Sequence, residues 1–395
     1  MAQEGIAPDA GPSRQFEIYV GGMLAGQKPA VPIDIHELEK VAKEKMSKEA
    51  FAYIAGSAGT ESTACANRSS FERWRILPRM LRGVAKRSTE IELFGKKYRS
   101  PFLLAPIGVQ EMVNDEADLA TARAAAACGV PYIFSNQASV PMEKTASVMG
   151  DASRWFQLYW GKDDRLVASL AQRAEACGCE AITVTLDTTL LGWRTRDLDV
   201  TYLPFLQGKG IAQYTSDPVF CSMLEKPPAE DVFAASQLFI KIYSEPGLTW
   251  DKLEFLRKHT KLPILLKGIT HPDDARLAIR YGMDGVVVSN HGGRQVDGAI
   301  SSFDALPRVV DAIGGKIPVL FDSGIRGGAD VFKALAMGAK AVLLGRPYAY
   351  GLTIAGQQGV EEVIKNFQAD FDLTMALAGC RSIAEINRST IDLVT

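Results

Sequence analysis

Long apolar runs are missing from this 395-residue chain. Nothing in it approaches the ~18 consecutive apolar residues of a membrane-spanning helix. Charge of one sign is missing as well. A formal net charge of −2 gives no electrostatic case for nucleic acid or for an anionic membrane surface. The opening stretch MAQEGIAPDAGPSRQ has no basic segment followed by an apolar one, so it does not read as a secretory signal. Its Gly, Pro and Ala content suggests a mobile arm over 1–30, ahead of one domain over 31–395. Cysteine is sparse, at positions 65, 128, 177, 179, 221 and 380, and shows no disulfide-framework spacing. Cys177-Gly-Cys179 has no His/Cys pair near it in sequence, so no metal site is expected. The thiols read as small buried hydrophobes in a reducing cytoplasm. Histidine is sparser still. His36, His259 and His271 sit in helix-like or loop contexts and read as surface residues.

The fourth histidine, in VSNHGGRQVDGA (288–299), stands just past an apolar run and three residues before Arg294. That run is one of eight: FLLAPIG (102–108), PYIFSN (131–136), RWFQLY (154–159), AITVTLD (181–187), PILLKG (263–268), GVVVSN (285–290), PVLFDSG (318–324) and AVLLGR (341–346). Continuous apolar runs fit strands buried on both faces. Stretches such as ADLATARAAAACG and ADVFKALAMG, with helical spacing and a terminal Gly, lie between them. Eight β–α units predict an α/β fold, a (β/α)8 TIM barrel, with a doubly wound open sheet as the alternative.

Barrel chemistry sits at the C-terminal ends of strands. Here those ends are polar in register: Ser135-Asn136, Gln157 and Tyr159, Thr185 and Asp187, Lys267, Ser289-Asn290-His291, Asp322-Ser323-Gly324, Gly345-Arg346. One polar strand end often just caps the next helix; a full set does not. DSGIRGG after strand 7 and Gly345-Arg346 after strand 8 occupy the usual phosphate site of this fold, where glycine amides and arginines hold an anion. A phosphosugar or a phosphate-bearing cofactor would both suit it. Lys267 favours a flavin, whose anionic reduced ring a fixed cation stabilises, although a Schiff-base lysine has the same signature. Gln157, Thr185 and Ser135 could bond a pyrimidine edge, and Asp322 ribityl hydroxyls.

With these residues in view, SNHGGRQ, LLKGI, FQLYW, TLDTTLLGWRTRD, FDSGIRGGADVFKALAMGAKAVLLGRPYAYGL and LTMALAGCRSIAEI resemble the FMN-dependent L-2-hydroxy acid oxidases, from about Ile33 onward. The resemblance implies FMN as cofactor, a small 2-hydroxy acid and molecular oxygen as partners, and a homotetramer or larger assembly. It implies His291 as catalytic base with Asp187 paired to it, and Tyr159 assisting. Tyr53, Arg194 and Arg294 would bind the substrate. Pro106, Ile107, Gly108, Ser135, Gln157, Thr185, Lys267, Ser289, Asp322, Ser323, Gly324, Arg326, Gly345 and Arg346 would contact FMN. Asn136-Gln137 depart from the usual residues of a loop that lines the family's side-chain pocket.

Oxidising a 2-hydroxy acid needs a base near Cα or its hydroxyl and a clamp on the carboxylate. His291 and Arg294, in one loop, supply that combination. Within the family, GWRTRDL (192–198), PFLQGKGIAQYTSDPVF (204–220) and EIYVGGMLAG (17–26) are most similar to the lactate 2-monooxygenase branch. That branch implies oxidative decarboxylation of L-lactate to acetate, CO2 and water. The alternative is an oxidase releasing 2-oxo acid and H2O2. Between strands 4 and 5 the chain is too long for an ordinary loop and helix, and 190–250 is expected to act as a lid that retains the product. An FMN- or phosphate-binding isomerase would need no carboxylate clamp, and a scaffold that had lost its chemistry would not keep His291, Asp187 and Arg294 together.

Overall fold

The eight apolar runs become eight strands because neither face of any of them reaches water. In the computed structural model, which describes residues 10–394, they are β1 (Phe102–Leu104), β2 (Tyr132–Phe134), β3 (Arg154–Tyr159), β4 (Ile182–Thr185), β5 (Ile264–Lys267), β6 (Gly285–Val288), β7 (Val319–Phe321) and β8 (Ala341–Leu344). Each pairs in parallel with its sequence neighbours, and β8 returns to β1 through Leu343 opposite Leu103, closing the barrel. The open-sheet alternative is thereby excluded.

The two-residue period of the strands separates two cores. Leu103, Ile133, Trp155, Leu265, Val287, Leu320 and Leu343 fill the barrel interior, together with Ile91, Leu93 and Tyr98 from a hairpin (Ile91–Leu93 with Lys96–Tyr98). The alternate residues, among them Phe134, Phe156, Val184, Leu266, Val288 and Phe321, belong to the outer core shared with the helices. Counting onward in steps of two from the inner set reaches Ala105, Ser135, Gln157 and Tyr159, Lys267, Ser289, Asp322 and Gly345. The inner face is apolar at one end of the barrel and polar at the other. This strand parity selects the residues that meet at the C-terminal mouth.

Helices Ile35–Lys45, Lys48–Ala55 and Ser62–Glu72 precede the barrel. Asp34 caps the first by accepting from the His36 and Glu37 amides, and Ser47 caps the second through the Ala50 amide. The second helix carries Tyr53 to the mouth. His36 and His271 are exposed, as read from sequence, whereas His259 is half-buried against Phe255, with ring centroids 4.2 Å apart.

Two expectations are corrected in local structure. Residues 10–25 of the supposed mobile arm form a helix, Ala10–Ala25, and the first nine residues lie outside the described ones. It is held because the Gly11 amide donates to Asp372 at 3.0 Å and Arg14 pairs with Glu362 and donates to Asn366 on the helical run Arg346–Leu377. A side chain at position 11 would strike Leu373. The stretch 201–220 is not an open flap. It folds into short helices whose aromatics join the outer core, with Tyr214 4.8 Å and Phe205 5.1 Å from Phe239, centroid to centroid. Burial of those rings accounts for much of the inserted length.

Candidate active site

The polar mouth lines a cleft that is open to solvent. Its walls include most of the residues singled out in the sequence: Tyr53, Pro106, Ile107, Gly108, Tyr159, Thr185, Arg194, Lys267, His291, Arg294, Asp322, Ser323, Gly324, Arg326, Gly345 and Arg346. Asp187, Ser135, Gln157 and Ser289 stand behind this surface. Gln137, Thr188, Leu191, Phe205 and Tyr243 also line it; none was assigned a role from the sequence. Gln137 alone had a signal there, as a departure in the side-chain loop. The others come from the inserted segment, where position follows tertiary packing.

His291 is fixed by its neighbours and by its own backbone. Its Nδ1 lies 2.8 Å from Asp187 Oδ1, and Thr188 Oγ1 donates to the same carboxylate oxygen at 3.0 Å. A carboxylate accepts, so Nδ1 carries the proton and Nε2 keeps its lone pair. His291, Gly292 and Gly293 take φ values of 58°, 66° and 80° in succession, a left-handed run that favours glycine at the last two positions. A Cβ at Gly293 would lie 2.7 Å from the Ala64 amide nitrogen.

Burial lowers the proton affinity of His291; the Asp187 charge opposes this but does not overcome it. Burial pushes Asp187 up, yet the charge and hydrogen bond of His291, with Lys267 and Thr188, hold it below the usual carboxylate range. The pair therefore rests as a neutral imidazole on a carboxylate.

Cations dominate the rest of the cavity. Lys267 donates to Ser289 Oγ at 2.8 Å and pairs with Asp322 at 3.0 Å. Burial lowers its proton affinity, but Asp322 and Asp187 more than compensate. Ser323 donates to Asp322 at 2.8 Å and accepts from the Gly292 amide at 3.0 Å, tying the β7 loop to the histidine loop. Arg294 donates to Gly56 O at 2.7 Å and lies over the Tyr53 ring at 5.2 Å. It has no carboxylate partner among the described residues. Burial, followed by the neighbouring Arg194 charge, pulls its pKa down to about 9. The site thus holds a buried guanidinium that a bound anion would stabilise.

The residues fit FMN on three observations. Gln157 Nε2 and Thr185 Oγ1 are buried without a hydrogen-bond partner, as expected of groups kept for a ligand's polar edge. Arg326, in the cavity wall, hydrogen-bonds through its side chain to Ile325 O and has no carboxylate partner among the described residues. At Gly345, in the same wall, an added Cβ would meet nothing in the protein closer than Ala105 at 3.9 Å. Arg346, in the same wall, also braces it: its guanidinium donates to Ile54 O, Gly56 O, Gly292 O and Ser57 Oγ.

Comparison with known proteins agrees with this geometry. Residues 42–393 match the family described as FMN-dependent dehydrogenase. The chain is 46% identical over 379 residues to the FMN-dependent alpha-hydroxy acid dehydrogenase qulF of Penicillium citrinum, covering 95% of this chain and 94% of that one. It is 45% identical over 368 residues to an L-lactate oxidase of Lysinibacillus sphaericus, covering 93% and 94%. A crystal structure of mandelate oxidase superposes with a TM-score of 0.81 at 38% identity, covering 92% of this chain and all of the other.

These relatives overturn two expectations. Oxidative decarboxylation to acetate, CO2 and water, the lactate 2-monooxygenase reading, gives way to the oxidase alternative, since the similar proteins are oxidases and dehydrogenases. The reading rested on the segments 192–198, 204–220 and 17–26; the aromatics of the second are explained by their packing. The cytoplasmic location also fails: a rice relative, 39% identical over 363 residues and covering 91% of this chain and 96% of its own, is a peroxisomal (S)-2-hydroxy-acid oxidase. Unpaired cysteines do not distinguish those compartments. The chain belongs to the FMN-dependent α-hydroxy acid oxidase/dehydrogenase family.

Proposed function

We propose that this enzyme oxidises a small L-2-hydroxy acid, with L-lactate the first candidate, to the 2-oxo acid, while O2 is reduced to H2O2. The substrate gives up two protons and two electrons, and oxygen takes up both. Bound FMN supplies the two-electron acceptor that O2 reoxidises. The observation that carries the reading is Arg294, a buried guanidinium without a carboxylate partner among the described residues, in one cavity with the His291–Asp187 pair.

Each residue then has a role. Arg294 grips the substrate carboxylate, with Arg194 and the Tyr53 hydroxyl beside it, and so orients the C–H bond. His291 Nε2 takes up the proton that the substrate releases, and Asp187 stabilises the imidazolium. Burial holds the Tyr159 and Tyr53 phenols above their ordinary range, so both remain hydrogen-bond donors. FMN would be held by the loops after β7 and β8 (Asp322, Ser323, Gly324, Arg326, Gly345, Arg346) and by Pro106, Ile107 and Gly108. Ser135, Gln157, Thr185, Lys267 and Ser289 would complete its site. From the segment 190–250, Leu191, Phe205 and Tyr243 reach the cavity, which supports its role as a cover.

A tetramer or larger assembly is also proposed, supported by the exposed Phe16, Tyr19, Met23 and Leu24 on one helix; light scattering tests it. The activity is tested by aerobic turnover of L-lactate, glycolate and L-mandelate. One 2-oxo acid and one H2O2 per O2 consumed is expected. Flavin that none of the three acids reduces anaerobically would refute the proposal.

A further inference from the structure

We infer that Gln295 is a positioning residue that sets Arg194 and Asp187 through one side-chain amide, a reading that rests on the proposed oxidation of 2-hydroxy acids. Its Oε1 accepts from Arg194 Nη2 at 2.8 Å. Its Nε2 donates to Asp187 O at 2.8 Å and to Leu190 O at 2.9 Å. Both ends of the amide are therefore used, and they serve different parts of the site. Arg194 faces the cavity; Asp187 stands behind it and holds His291.

The loops are built for this contact. A Cβ at Gly192 would lie 2.5 Å from Arg294 O and 2.7 Å from Gln295 O, so the chain after β4 lies directly against the histidine loop. Arg194 Nε also donates to Arg294 O, at 3.3 Å. A guanidinium bound at two of its nitrogens has little rotational freedom left. The nitrogen that remains, Nη1, is aimed by the protein before substrate arrives, which reduces the entropy lost on binding. Gln295 does not itself line the cavity, so its influence passes through these two neighbours.

An amide with both roles is not replaced by a residue that only accepts or only fills space. Gln295→Met keeps the length and loses all three bonds. Gln295→Glu keeps the volume and the acceptor for Arg194, but turns a carboxylate toward the carbonyls of Asp187 and Leu190.

The holoenzyme is compared with Gln295→Met, Arg194→Met and the double variant. Binding is read by titration with 2-hydroxy-2-methylpropanoate, a 2-hydroxy acid that lacks the Cα hydrogen. Flavin reduction by L-lactate, glycolate or L-mandelate is followed anaerobically across pH. Gln295→Met is expected to weaken binding of the inert acid by about tenfold, and the double variant to match Arg194→Met within about twofold. The acid limb of the rate–pH profile is expected to rise in Arg194→Met, which removes a cation that disfavours the His291 imidazolium, and to move in Gln295→Met, which releases the Asp187 peptide. Losses that add in the double variant, or a Gln295→Met enzyme indistinguishable from wild type, overturn the inference. If Gln295→Met fails to fold or to retain flavin, the neutral, shorter Gln295→Asn is read instead: weakened binding of the inert acid supports the positioning role and wild-type binding overturns it. Wild-type flavin that no 2-hydroxy acid reduces sinks the proposed function and this inference together. An active wild type with unperturbed variants sinks this inference alone.

Discussion

Asn67 and Asn290 hold each other by a reciprocal pair of amide hydrogen bonds, 2.8 Å in one direction and 2.7 Å in the other. Asn67 Oδ1 also accepts from the Ser302 amide, Asn290 Oδ1 from the Gly293 amide, and Asn290 Nδ2 donates to Ile300 O. The pair sits immediately before the three left-handed residues that present His291. Left-handed backbone at a non-glycine residue costs about 1–3 kcal/mol and persists where the surroundings over-determine it.

Asn67→Leu should therefore reduce stability by about 1–3 kcal/mol, because it removes the reciprocal pair of bonds to the Asn290 amide and leaves the Ser302 N–H without its partner. It should also slow turnover by misplacing His291. Urea unfolding together with steady-state kinetics checks both. Lost stability with unchanged turnover would show that the loop keeps its shape without the pair.

His291→Gln should retain FMN and lose flavin reduction by about 10²–10⁴-fold, the usual loss on removing a general base. Glutamine can still bond Asp187, so the fold is preserved while Nε2 is gone. Anaerobic rapid mixing with L-lactate measures this. Reduction within about tenfold of wild type would remove His291 as the base.

The pH dependence follows from the lowered proton affinity of His291. The neutral imidazole is the active form, so kcat/KM should rise with pH, with its acid limb below the ordinary histidine value of about 6.5. The unfolded chain binds this proton more readily than the folded one, so the same residue adds stability above about pH 6.5 that is lost as pH falls toward its folded pKa. A limb above the ordinary value would mean that the Asp187 charge outweighs burial.

Arg294→Lys should raise KM and also lower the reduction rate, by up to about 10²-fold, because an ammonium cannot make two parallel bonds to a carboxylate and misplaces the reacting carbon. Substrate titration of the reduction rate separates the two effects. A changed KM with an unchanged rate would reduce Arg294 to a simple anion-binding charge.

Much of this was legible in the sequence, and for a stated reason. The strands are apolar on both faces, so their runs stand out even though each is only a few residues long. The mouth residues follow from strand parity and, for their roles, from resemblance to a family. The inserted segment was read less well. Thr188 and Leu191 reach the cavity from the loop after β4, Phe205 from a single short 3-10 turn and Tyr243 from the end of the helix Val232–Ile242, and no period announces them. The helix Ala10–Ala25 was hidden by its composition, because what orders it is Asp372, Glu362 and Asn366 at the other end of the chain. Gln295 was visible beside Arg294, but its partners were not, since they lie across a loop contact that Gly192 permits.

Arg346 bonds the carbonyl of Ile54, a residue 292 positions earlier, and this has a consequence for biosynthesis. At about 5–20 residues per second, roughly 15–60 s separate the appearance of these two walls from the ribosome. Throughout that interval Tyr53 lacks the brace that will fix its helix, and β1 has no β8 to close against. A chain halted before β8 lacks Gly345 and Arg346 and leaves this wall of the cavity unbuilt.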